Sequence, residues 1–307
     1  MEKESKKLYT NPIFVAICAI LCCALWGSAT PFIKIGYKLI LPHGGVASTM
    51  LFAGIRFTLA GVLTVLIYSI ARRKFLYPKK QNWDKVLIIS AFQTVIQYIF
   101  FYIGLANTTG VKGTIASGSN AFFAMLVACL IFHQEKLTLK KVIAAILGFS
   151  GIVLVNLEGL DLNMNFTGDG FVLISAIAYA FSSVFVKIFS KYEDPVILSG
   201  YQFILGGIVM TLVGVFMGGK VAFPDIKAVA VLIYLAFLSA IAYSLWGILL
   251  KHNPVSKVTI YSFMIPVFGV LLSNLLLSEQ SHVSPINLII TLILVSTGII
   301  MLNYKKE

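Results

Sequence analysis

Charge is what this chain has least of. Only 12% of its 307 residues are Asp, Glu, Lys or Arg, while 59% are hydrophobic, whereas a water-soluble domain carries about 25% charged residues. That excludes a soluble globular surface. Acidic residues are scarcer still, twelve against 24 Lys plus Arg, and all twelve fall in predicted loops, tails or helix ends. A carboxylate relay inside a helix, the usual proton carrier of a pump, is therefore not expected. The four cysteines, Cys18, Cys22, Cys23 and Cys129, sit in apolar runs with no paired histidine and no CxxC spacing, which leaves them as packing residues and not a metal or redox site. His43, His133, His252 and His282 fall in loops or at span ends, and neither HExxH nor GxSxG occurs. No nucleophile and base can be paired, so the chain is not expected to be an enzyme, and no catalytic residue, metal ligand or cofactor is assigned.

What is present is apolar length. The mean hydropathy is +0.93, and apolar segments recur at 13–33, 46–71, 86–106, 113–133, 141–157, 168–189, 196–217, 227–250, 257–277 and 286–303, near the roughly 20 residues a bilayer span requires. Unsatisfied backbone groups are costly in hydrocarbon, so each segment must be helix. The net charge of +12 does not point to nucleic acid, because basic residues fall between apolar runs with no aromatic interleaving. They report topology instead. Lys3, Lys6, Lys7, Arg72, Arg73, Lys74, Lys79, Lys80, Lys85, Lys136, Lys140, Lys141, Lys187, Lys191, Lys251, Lys257, Lys305 and Lys306 belong to one side, against Lys34, Lys38, Lys112, Lys220 and Lys227 on the other. The positive-inside rule then predicts a multi-pass protein of the plasma membrane with both termini cytoplasmic. The acidic loop of Glu158, Asp161 and Asp169 faces outward.

The sequence also repeats. Phe32-Ile33-Lys34-Ile35 matches Phe185-Val186-Lys187-Ile188; Gly54-Ile55-Arg56-Phe57 with Leu59 and Gly61 matches Gly200-Tyr201-Gln202-Phe203 with Leu205 and Gly207; Glu135 matches Glu279; and Gly151 to Asn156 matches Gly298 to Asn303. The repeat gives the first apolar run a counterpart deep in the chain, so it is expected to be the first helix and not a cleaved leader. Five helices per half is an odd number, so the second half enters the membrane inverted. The expected fold is an all-α membrane protein with ten transmembrane helices in two inverted-topology five-helix repeats, at 1–157 and 168–307. Many secondary transporters are built this way, with one half rocking against the other around a midplane site.

Leu25-Trp26-Gly27, Phe32-Ile33-Lys34, Arg56-Phe57, Gly104-Leu105-Ala106, Ile265-Pro266-Val267-Phe268 and the pair Glu135 and Glu279 together resemble the EamA family of the drug/metabolite transporter superfamily, over nearly the whole chain. The resemblance implies ten helices, a central cavity between the halves, and export or exchange of metabolites such as amino acids. Two departures, Phe122 where the second repeat has Pro266 and Gln202 opposite Arg56, argue against strict symmetry of function.

Polar residues inside spans are the candidates for a substrate pathway. Arg56 either locks helices together or contacts substrate. Trp26, Thr30 and Lys34 are spaced i, i+4, i+8, as are Tyr179, Ser183 and Lys187, which puts aromatic, hydroxyl and amine on one helix face. The two lysines either attract an anionic group at opposite mouths of a shared cavity or simply snorkel. Asn120, on a stripe with Ala116, Ala124 and Ala128, serves a helix contact or a ligand. Gln93 and Gln97, then Ser239 and Tyr243, share faces of the third and eighth helices, and Tyr261 and Pro266 add a hydroxyl and a kink to the ninth. Such a lining suits zwitterions or amphipathic metabolites. The expected partners are a small-molecule metabolite and the lipid bilayer. No span carries the acidic ring of a channel; the alternative is a flippase for a lipid-linked substrate.

Overall fold

The computed structural model describes residues 7–41, 44–157, 163–277 and 284–304. Glu158, Asp161 and Glu279 lie outside the described residues, as do Lys3, Lys6, His43, His282, Lys305 and Lys306. Among the described residues ten long helices follow one another: α1 (Pro12–Ile40), α2 (Gly45–Ala71), α3 (Lys80–Ala106), α4 (Val111–Ile131), α5 (Leu139–Val155), α6 (Phe166–Phe189), α7 (Pro195–Phe216), α8 (Ile226–His252), α9 (255–277) and α10 (Pro285–Asn303). Among the described residues there is no strand. Nine of the ten are long and apolar enough to cross a bilayer. The exception is α5, whose 17 residues make about 25 Å of helix.

Local chemistry sets the boundaries. Asn11, Thr109, Thr138, Asp194 and Asp225 accept hydrogen bonds from first-turn amides, satisfying donors that a helix start leaves open. Pro12, Pro195 and Pro285 occupy first-turn positions, where the missing N–H costs nothing. At the other ends one device recurs. The Nδ2 of Asn107 donates to Ile103 O, and that of Asn253 to Leu249 O, closing α3 and α8. Asn156 and Asn303 do the same to Ile152 O and Ile299 O, closing α5 and α10.

The packing obeys the repeat. The most extensive helix contact is α2 with α7; α5 lies against α10, α1 against α8 and α9, and α6 against α3 and α4. Moving each helix five places along the chain turns α1·α8 into α6·α3 and α1·α9 into α6·α4, and returns the other two pairs to themselves. The self-paired helices are antiparallel. In α2·α7 the close approaches are Leu51 with Gly214, Gly54 with Thr211, Thr58 with Gly207 and Gly61 with Ile204. A Cβ on Gly54 would stand 2.4 Å from Thr211 N, and one on Gly207 2.4 Å from Thr58 N, so only glycine admits the facing backbone. Small residues are the usual means of close helix association in lipid.

The contacts of this antiparallel pair are compatible with the match of Gly54 to Gly200: it exchanges Gly54–Thr211 with Val65–Gly200 and Gly61–Ile204 with Thr58–Gly207. Arg56 and Gln202 are both buried, and Gln202 Oε1 accepts from Thr94 Oγ1.

Candidate functional site

The helices alternate in direction, which gives the molecule two ends. At one, called here the terminal side, Asn253 Nδ2 donates to Tyr9 O, Lys140 Nζ to Tyr304 O, and Asn303 Nδ2 to Lys257 O. At the far side, Asn165 Nδ2 donates to Asn107 O and Ala222 N to Ile40 O. A cavity of about 940 Å³ lies between the halves. Its walls come from far-side segments, including Lys34 of α1, Leu105 of α3, Val111 of α4, Asn156 after α5, and Ser273 of α9. Its floor is at mid-depth, where Trp26, Arg56, Tyr98, Tyr179 and Tyr243 converge. The cavity therefore opens to the far side.

Below the floor the terminal side is sealed. A large core joins Val15, Cys18 and Cys22 of α1 to Val184 of α6, Leu249 of α8 and Val258 of α9; all four cysteines are buried. Glu135, in the α4–α5 connection, accepts from Lys141 Nζ at 2.8 Å and from the amide of Ser256 at 3.2 Å, and also from Ser256 Oγ. It thus clamps α5 and α9 to the end of α4. Lys187 Nζ donates to Leu250 O at 3.1 Å and Asn253 O at 2.6 Å, meeting the negative end of α8. Beside them Glu193 accepts from Asn82 Nδ2 and the amides of Lys79 and Asp194. Burial opposes its charge, yet these bonds hold its carboxyl below the ordinary range.

Of the residues singled out from sequence, Trp26, Thr30, Lys34, Arg56, Gln97, Asn120, Tyr179 and Tyr243 line this cavity. Gln93, Ser183, Lys187 and Tyr261 do not. Ser183 is 1% exposed, its Oγ donating to Tyr179 O; Tyr261 is buried, with Cys23 Sγ donating to its carbonyl; Lys187 caps α8. Gln93 lies one turn nearer the terminal side of α3 than Gln97, within the π turn Ser90–Ile96, and is 3% exposed.

The floor is aromatic. The Trp26 ring makes edge contacts with Tyr243 and Trp246, each 5.0 Å between centroids. Tyr98 and Tyr243 hydroxyls lie 2.8 Å apart, and Phe57 sits between Tyr98 and Phe203 at 4.5 and 5.1 Å. Arg56 lies over Phe57 with Cζ 4.7 Å from the ring centre, and its Nη2 donates to Ser239 Oγ at 3.2 Å. Arg56 thus joins α2 to α8 and also faces the cavity. Its Nε, Trp26 Nε1 and Tyr179 OH have no acceptor among the described residues, and Gln97 Oε1 has no donor. Tyr37, Tyr98 and Tyr102 also line the cavity. Sequence reasoning passed over them, because a tyrosine in an apolar helix is common; their one available signal was the adjacency of Tyr98 to Gln97.

Nine bilayer-length helices and a shorter tenth, among the described residues, around a solute-sized cavity fit a multi-pass membrane transporter, and comparison with known proteins agrees. The EamA-like transporter family model matches residues 13–157 and again 166–304, so the chain belongs to that family. It is 26% identical to an "Uncharacterized transporter" of Archaeoglobus fulgidus over 84% of this chain and 88% of the relative. It is 24% identical to the "Uncharacterized transporter YvbV" of Bacillus subtilis over 92% and 89%. A solved crystal structure superposes with a TM-score of 0.75 at 16% identity, covering 94% of this chain and 97% of the other, a likeness of fold alone.

Proposed function

We propose that the protein is a secondary transporter that exports or exchanges a small polar or amphipathic metabolite, amino acids included, by alternating access. The observation that carries this reading is a cavity open on one side only, in a fold whose halves are equivalent. Exchanging the conformations of the two repeats, at 1–157 and 168–307, would seal the far side and open the terminal side. The far side is then the outside, and both termini lie in the cytoplasm at the plasma membrane. The residues on the cavity wall form the present substrate pathway, and Gln93, Ser183, Lys187 and Tyr261 join it when the terminal side opens. No carboxylate occurs mid-helix among the described residues, which supports exchange or facilitated flow without an obligatory proton.

The test combines sidedness with flux. Cysteines at Lys79 and Asp225, both exposed, should be reached from inside and outside the cell respectively; the reverse pattern rejects the orientation. In proteoliposomes, counterflow of metabolites released by expressing cells should persist when the pH gradient is collapsed. Its complete loss at matched pH would reject proton independence. Movement of a lipid-linked substrate with no flux of soluble solutes would establish the flippase instead.

A further inference from the structure

The charge of the cavity narrows the substrate class. Its titratable cations are Lys34 near the mouth and Arg56 at the floor, and among the described residues no Asp, Glu or His lines it. Arg56 is 4% exposed and sits mid-helix, where a guanidinium is costly unless water, an acceptor or an anion meets it. One neutral hydroxyl takes Nη2, and Nε has no acceptor among the described residues. The guanidinium fork is the side chain best matched to a carboxylate, through two parallel N–H bonds. Its match in the sequence repeat is the neutral Gln202, so the charge is no product of the duplicated scaffold. Trp26 Nε1 and Tyr179 OH add two further N–H and O–H groups without acceptors. The surrounding rings of Trp26, Tyr98 and Tyr243 supply apolar area for a flat or bulky body.

Resting on the transporter reading above, we propose that this cavity selects amphipathic organic anions over zwitterions and cations, with Arg56 as the carboxylate anchor. An α-ammonium group has no carboxylate to meet there, and Arg56 repels it. Within the amino-acid class this favours compounds of net negative charge and works against neutral amino acids.

The experiment uses purified full-length protein in nanodiscs and two matched series: 3-phenylpropionate, L-phenylalanine and 2-phenylethylamine; then indole-3-propionate, L-tryptophan and tryptamine. Isothermal titration should show each acid binding at least about tenfold tighter than its amino acid, the scale of one charge-assisted contact, with neither amine binding. Arg56→Gln should remove the preference and Arg56→Lys retain part of it, with melting temperature reporting the fold of each. Should Arg56→Gln fail to fold, the ranking in the unaltered protein still decides. Zwitterions binding as tightly as the acids, or none of the six binding, would overturn the anion preference. Counterflow of the bound acid tests transport separately: binding in the expected order without counterflow would refute the transporter reading and leave the selectivity standing.

Discussion

The faces Trp26–Thr30–Lys34 on α1 and Tyr179–Ser183–Lys187 on α6 have the same chemistry, the same spacing and equivalent places in the repeat, yet opposite surroundings. Thr30 is exposed and Lys34 is on the cavity wall, whereas Ser183 is 1% exposed and Lys187 caps α8. Only the tops of the two faces, Trp26 and Tyr179, meet at the floor. Equivalent sequences in inequivalent environments mean that conformation has broken a symmetry present in the chain. For a transporter that asymmetry is the function, since a site exposed on both sides would leak.

The seal over the α6 face should be the easiest part to break. Glu135 and Lys141 are both mostly buried, with side chains 6% and 14% exposed. Removing one partner of such a pair costs about 3–5 kcal/mol. Glu135→Ala should therefore favour opening of the terminal side, read as faster labelling of a cysteine at position 183 and a lower melting temperature; an unchanged rate would show that Glu135 does not hold the seal. Next in size is the lysine pair. Lys187→Met deletes bonds from a charged donor, about 1.5–3 kcal/mol, and should lower thermal stability. Lys34→Met keeps the apolar stem and should weaken anion affinity. An unchanged melting temperature for Lys187→Met would show that its bonds do not hold α8. The smallest effect concerns pH. Because the folded-state pKa of Glu193 is depressed, its contribution to stability is present above the ordinary glutamate range and is lost as pH falls through the folded value. Glu193→Gln should flatten the acid side of the melting-temperature profile.

The sequence announces the fold well because bilayer spans must be both apolar and helical, and even α5, at 17 residues, is bounded by Thr138 and Asn156. The aromatic, hydroxyl and amine landmarks of α1 and α6 are equally plain. The depth of each polar residue is not: Gln93 lies one turn nearer the terminal side than Gln97, and a difference of one turn leaves no compositional mark. Nor could any sequence tell Thr30 from Ser183: a repeat encodes what two halves share, and the open cavity reports how they differ.

Thiol accessibility at those two positions tests alternating access most directly. In a background with Cys18, Cys22, Cys23 and Cys129 replaced, Thr30→Cys and Ser183→Cys are labelled from either side of the membrane with a charged thiol reagent. Thr30→Cys should react rapidly from outside, and Ser183→Cys slowly and only from the cytoplasm. A terminal-side-open form populated at about 1% would give a rate about a hundredfold lower. Glu135→Ala should shift both rates in opposite directions. Equal rates at the two positions, or labelling of Ser183→Cys from outside, would contradict a cavity that opens to one side at a time.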